Sequence, residues 1–139
     1  MKILLTMVSL VIGTIATASA TQISDLPSSL VCTAKNARMP EVRTVKITKM
    51  NTDSPESTVR DGFQEASITD DNYSLSFSDE CEGWYAFDFK VSDLLLLKSG
   101  KVSKINGTFT YNDLPERFPD AGDSEENQEE SITVTCKKL

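Results

Sequence analysis

The 139-residue chain contains no histidine. That absence removes the usual neutral-pH general base, the Ser-His and Cys-His nucleophile pairs, and every zinc site that draws on imidazole. Carboxylate-pair catalysis needs no histidine, but among 21 Asp and Glu residues a pair of acids carries no information, and no motif marks a nucleophile or a cofactor site. The chain is therefore read as non-enzymatic and without a cofactor. Cysteine is scarce too. Cys32, Cys81 and Cys136 include no Cys-x-x-Cys pair, so neither a redox motif nor a recognisable set of metal-ligand spacings is present. Aromatic residues are few and unevenly spread: eight of the ten lie between Tyr73 and Tyr111, and none lies between Thr21 and Gly62. The N-terminal third must then pack aliphatic side chains against an aromatic centre. No repeat of 20 to 50 residues and no amphipathic helical stretch stands out.

Met1 to Ala20 has one basic residue, Lys2, an apolar run from Ile3 through Ile15, and the small residues Ala18-Ser19-Ala20. This pattern reads as a secretory signal peptide over 1–20, the run being too short and too poorly flanked for a membrane span. A lipid anchor at Cys32 is disfavoured by Val31 before it and by its distance from the apolar run. The expectation is a secreted or periplasmic protein with a single domain over 21–139, in a compartment where cysteines pair.

Within that domain the dominant signal is alternation. Tyr73, Leu75 and Phe77 share one strand face against Ser74, Ser76 and Ser78, and Tyr85, Phe87, Phe89 and Val91 share another against Trp84, Ala86, Asp88 and Lys90. Ile105, Gly107, Phe109 and Tyr111 repeat the pattern, with Gly107 suggesting a bulge or bend. Leu94 to Leu97 is read as a short strand, the competing reading being a one-turn helix with Ser92 as N-cap and Gly100 as its close. Leu30 to Ala34, Val42 to Met50 and Ser131 to Cys136 are further strands. Asn51 to Ser57 reads as a loop, and Thr58 to Thr69 as a strand broken by a bulge after Gly62. The fold class is all-β: a small antiparallel meander barrel or two-sheet sandwich of seven to eight strands.

Cys32 and Cys136 have inward parity on the first and last strands, which become neighbours if the sheet closes. They are expected to form a disulfide, leaving Cys81, in a turn, as a free thiol. The remaining feature is charge. The formal net charge is −7, and Asp113 to Glu130 alone holds eight acids against the single base Arg117. An acidic loop over 112–130 is expected to be a solvated connection unless it contacts a basic protein partner, for which Glu125, Glu126, Glu129 and Glu130 are the contact candidates. Asp120, Asp123 and Glu125 offer oxygen ligands for calcium but lack the twelve-residue EF-hand spacing. Nucleic acid is disfavoured by the same charge. Trp84 and Tyr85 have opposite parity, so one of them faces outward, where a stacking platform competes with core packing. Asn72-Tyr73-Ser74 and Asn106-Gly107-Thr108 match the N-glycosylation sequon, which matters only in a eukaryotic secretory pathway. The leading functional expectation is an exported β domain that binds another macromolecule, in the manner of inhibitor or adaptor domains. Its rivals are a barrel carrier of a small apolar ligand and a structural envelope component.

Overall fold

A computed structural model describes residues 20–37, 42–59, 63–79, 83–113 and 128–139. The expected signal peptide, Cys81 and most of the acidic segment lie outside the described residues. After a single 3-10 turn at Ile23–Asp25 come β1 (Leu30–Thr33), β2 (Thr44–Thr48), β3 (Glu56–Ser57), β4 (Phe63–Thr69), β5 (Asn72–Asp79) and β6 (Gly83–Lys90). A helix, α1 (Val91–Ser99), then leads to β7 (Ile105–Asp113) and β8 (Gln128–Lys138). All eight strands form one sheet in the order β3-β2-β1-β8-β7-β6-β5-β4, each neighbour antiparallel. The sheet curls into a nearly closed barrel, settling the barrel-or-sandwich alternative. Its two edges, β3 and β4, follow one another in sequence, so the barrel has one seam.

The inward parities read from the sequence are the buried ones, and the strand registers stack them in layers. Phe77, Tyr85, Tyr111 and Glu130 form one cross-strand row; Leu75, Phe87, Phe109 and Ile132 form the next. A further row joins Ile105, Cys136, Cys32 and Val45. Phe87 and Phe109 meet at 4.5 Å between ring centroids, Tyr85 stacks on Phe109 at 6.1 Å, and Phe77 meets Phe87 edge-on at 6.3 Å. These rings fill the interior, and offset and edge-on contacts of this kind add to the stabilisation from burial. Leu30, Val45, Ile47 and Met50 close the core from the aromatic-free third.

Four local expectations need correction. The segment 94–97 is not a strand but the centre of α1, where four consecutive leucines favour helix and Leu94 and Leu97 are buried. Ser92 is not its N-cap. The Asp71 carboxylate, from the turn before β5, accepts from the Ser92 backbone N–H and hydroxyl at 2.9 Å each, while the Asp71 carbonyl accepts from the Val91 N–H. A carboxylate there also suits the positive end of the helix dipole. Gly100 does close the helix, at φ 80°, the left-handed conformation glycine adopts without strain.

The second correction is that Glu56 and Ser57 are not loop but the short edge strand β3, paired with Thr48 and Ile47. Third, of the bulge or bend suggested by Gly107, no bulge forms on the β8 side, since the register runs unbroken from Ile105 to Asp113, whereas the sheet does curl into a barrel. The glycine is needed because the Phe89 ring lies where a Cβ would stand, 2.4 Å from its Cε1. The fourth concerns the acidic loop over 112–130, which is shorter than expected. Asn112 and Asp113 belong to β7 and 128–130 to β8, because Tyr111, Asn112 and Asp113 pair with Glu130, Glu129 and Gln128. The expected bulge after Gly62 lies outside the described residues.

Candidate functional site

The two ends of the barrel differ in chemistry. At one end α1 and the 3-10 turn pack across the opening: Lys98 donates to the Asp25 carbonyl at 2.8 Å, Lys138 donates to the Lys98 carbonyl at 3.3 Å, and Leu26, Leu94 and Leu97 are buried beneath. The opposite end, the mouth, receives the β5–β6 and β7–β8 connections. The first carries Glu80 and Glu82; the second, over 114–127, carries Glu116, Asp120, Asp123, Glu125 and Glu126 against Arg117. The β1–β2 connection runs toward the same end and is basic, with Lys35, Arg38 and Arg43 against Glu41. By sequence, the connections after β5 and β7 are acidic and the connection after β1 is basic.

The sequence candidates fall at different places around this end. Asp120, Asp123, Glu125 and Glu126 lie in 114–127, outside the described residues, as does Cys81. Glu129 is on β8 opposite Asn112. Glu130 occupies the inward row, half-buried, with the Tyr111 hydroxyl donating to its carboxylate. Its carboxylate therefore takes part in the fold as well as in the charge of the mouth. Trp84 points outward next to the same rim and is 36% exposed, whereas Tyr85 is buried. Of the two, tryptophan is the exposed one, and the parity of β6 already distinguished their faces. Among the described residues no group of three or more Cys, Asp or Glu side chains is arranged to hold a metal ion.

Cys32 and Cys136 face each other across β1 and β8, with their sulfurs at bonding distance and their Cα atoms 4.0 Å apart. They sit where the sequence parity put them, both buried. What sequence reasoning missed lies at the helix end. Tyr73 is fully buried, and its hydroxyl has no hydrogen-bond partner among the described residues. Desolvation by burial pushes its ionisation well above the usual phenol range, so the group stays a neutral donor. Alternation predicted that Tyr73 would be buried, but nothing in the sequence shows where a phenol oxygen ends.

A surface cleft of about 600 Å³ is lined by Thr21, Gln22, Ile23, Ser24, Asn51, Thr52, Asp53 and Ile68, the last being the cross-strand partner of Tyr73. Among the described residues no helix is long and apolar enough to cross a membrane. Comparison with protein-family models, with curated proteins and with solved structures finds no match for this chain, so the reading of both ends rests on its own residues.

Proposed function

We propose that the chain is an exported, non-enzymatic binding module that engages a basic protein through the acidic side of the barrel mouth. The observation that carries this reading is the β7–β8 register, with Asp113 opposite Gln128. It brings the residues that flank the acid-rich segment 114–127 onto adjacent paired strands at one end of the ring-packed barrel. A like-charged segment held at its base by strands repels itself, and a cationic surface relieves that repulsion. Trp84, exposed next to the rim, supplies an aromatic face of the kind that anchors interfaces and accepts an arginine guanidinium. The contacts among the interior rings Phe77, Tyr85, Phe87 and Phe109 support a scaffold over a carrier of large apolar ligands.

The test is capture of partners from the native envelope or medium by the mature protein, at low and at high salt, with the parent and with a variant carrying Asp123→Asn, Glu125→Gln and Glu126→Gln. Glu130 is left intact because of its bond to Tyr111. A basic protein should be retained by the parent at low salt and released at high salt, since exposed charges are screened beyond about 8 to 10 Å near physiological ionic strength. The variant should associate more slowly with an unchanged unfolding midpoint. Equal capture by parent and variant at both salt concentrations would reduce the segment to a solvated connection. A calcium-dependent rise in midpoint that the variant loses would instead assign the segment to calcium.

A further inference from the structure

β6 and β7 separate before either strand ends. Their ladder stops at Asp88 opposite Thr108, leaving Phe89 and Gly107, and Lys90 and Asn106, unpaired. On their other sides the same residues stay in register, β6 with β5 as far as Lys90 and β7 with β8 as far as Ile105. Alternation in antiparallel ladders gives the direction of a freed backbone group. The Val91 N–H donates to the Asp71 carbonyl at 2.9 Å, toward β5, so the backbone groups of Asp88 point the other way and bond to Thr108. Asn106, two residues from Thr108, therefore aims its N–H at β6, where the ladder has already ended.

A cleft of about 370 Å³ lies where the strands part, lined by residues of both together with Asp93 from the first turn of α1. Gly107 adds no side chain to it. Its acceptors are the half-buried carboxylates of Asp88 and Asp93. Asp88 Oδ1 accepts from Asn72 Nδ2 at 3.2 Å, which leaves Oδ2 for another donor. Its donors are Lys90 and Asn106, whose Oδ1 accepts from the Thr135 hydroxyl at 3.3 Å, so that Nδ2 is the atom left to donate. The hydroxyls of Thr108 and Thr133, also in the lining, both donate and accept.

We propose that this cleft is a binding site for a neutral saccharide, held through neighbouring hydroxyls of one sugar ring. Each sugar hydroxyl donates and accepts, so a pair of them can give protons to a carboxylate and receive them from the Asn106 amide. The lining disfavours other classes. Two carboxylates against one ammonium repel an anion, an apolar body would leave these polar groups desolvated and unpaired, and an ammonium ion has no acceptor to offer the Asn106 donors. The volume lies at the small end of ligand sites, which suits one ring. Asp93 places the cleft at the helix end of the barrel, so the site neither uses the acidic segment nor rests on the protein partner proposed for it.

The experiment titrates the mature protein, in EDTA, with D-glucose, D-galactose, D-mannose and N-acetyl-D-glucosamine into the tens of millimolar, following amide chemical shifts. These four present different axial and equatorial arrangements of neighbouring hydroxyls. At least one should give saturable shifts centred on Lys90, Asp93, Asn106 and Gly107. Asp88→Asn keeps an acceptor for Asn72 but removes the charge, and should bind that sugar about tenfold more weakly or worse, the loss expected for a charge-assisted hydrogen bond. Thr133→Trp, at an exposed position on the rim, should abolish binding while the unfolding midpoint stays unchanged. The variant carrying Asp123→Asn, Glu125→Gln and Glu126→Gln should bind the sugar as the parent does, which separates this site from the acidic segment. Failure of all four sugars, saturable shifts centred elsewhere, equal affinity in Asp88→Asn, undiminished binding in Thr133→Trp, or binding seen only when calcium replaces EDTA would each overturn the proposal.

Discussion

At Gly107 the missing side chain is used by the neighbouring strand. A Cβ there would come within 2.4 and 2.5 Å of two Phe89 ring atoms and 3.0 Å of the Asp88 carbonyl oxygen. The ring can move only into a core already filled by Phe87, which stacks on it at 6.3 Å. Gly107→Ala should therefore destabilise the fold by about 1 to 3 kcal/mol, the usual range for overpacking, measured by urea denaturation. Adding Phe89→Leu should recover part of that loss, and an unchanged midpoint in the single variant would mean that the ring has somewhere to go. The sequence showed a glycine on an inward parity and correctly placed its neighbours Ile105 and Phe109 in the core. It could not show that the glycine serves a ring from a strand 18 residues earlier, because that contact depends on cross-strand register. Glu130 makes the same point for charge. A run of acids reads as uniformly solvated until pairing with Tyr111 turns one of them inward.

Among the elements, α1 was the least legible and β5 to β8 the most. Strict alternation over β5, β6, β7 and β8 specifies both the strands and their buried faces, since a slip of one residue would expose every ring. The run 94–97 has no alternation and is too short for a helical period to emerge, so pattern alone does not decide between strand and helix. The deciding group, Asp71, comes from a turn 21 residues before Ser92. β3 was invisible for a different reason: two polar residues carry no pattern and become a strand only by pairing with β2. For α1 the packing predicts a contrast between neighbouring leucines. Leu94 is fully buried and Leu96 is 37% exposed, so Leu94→Ala should cost about 2 to 5 kcal/mol, against about 0.5 kcal/mol or less for Leu96→Ala. Equal losses in denaturant titrations would show that the helix is held by its own propensity rather than by docking onto the barrel end.

For the whole molecule, the junction that matters is β1 with β8. Every other ladder joins strands consecutive in sequence, whereas this one, from Leu30 opposite Lys138 to Thr33 opposite Thr135, joins opposite ends of the domain. The parity of the two cysteines made that junction legible in the sequence. The seam between β3 and β4 was not, because it depends on how far β3 extends. Cys32 and Cys136 are 104 residues apart, and closing so long a loop in the unfolded chain gives the bridge up to about 4 to 5 kcal/mol on the chain-entropy model.

Converting both cysteines to alanine removes that constraint from the ladder with the longest sequence separation. The strands β5 to β8 remain joined by local connections, so the loss should not be uniform. Hydrogen exchange of the double variant should show β1 and β2 amides losing protection first, with β6 and β7 amides retaining theirs near the remaining global stability. Because both cysteines are buried, reduction of the parent should be slow under native conditions and fast in denaturant. If all eight strands lose protection together, the barrel opens as one unit, and the β1–β8 junction is no weaker than its local hairpins.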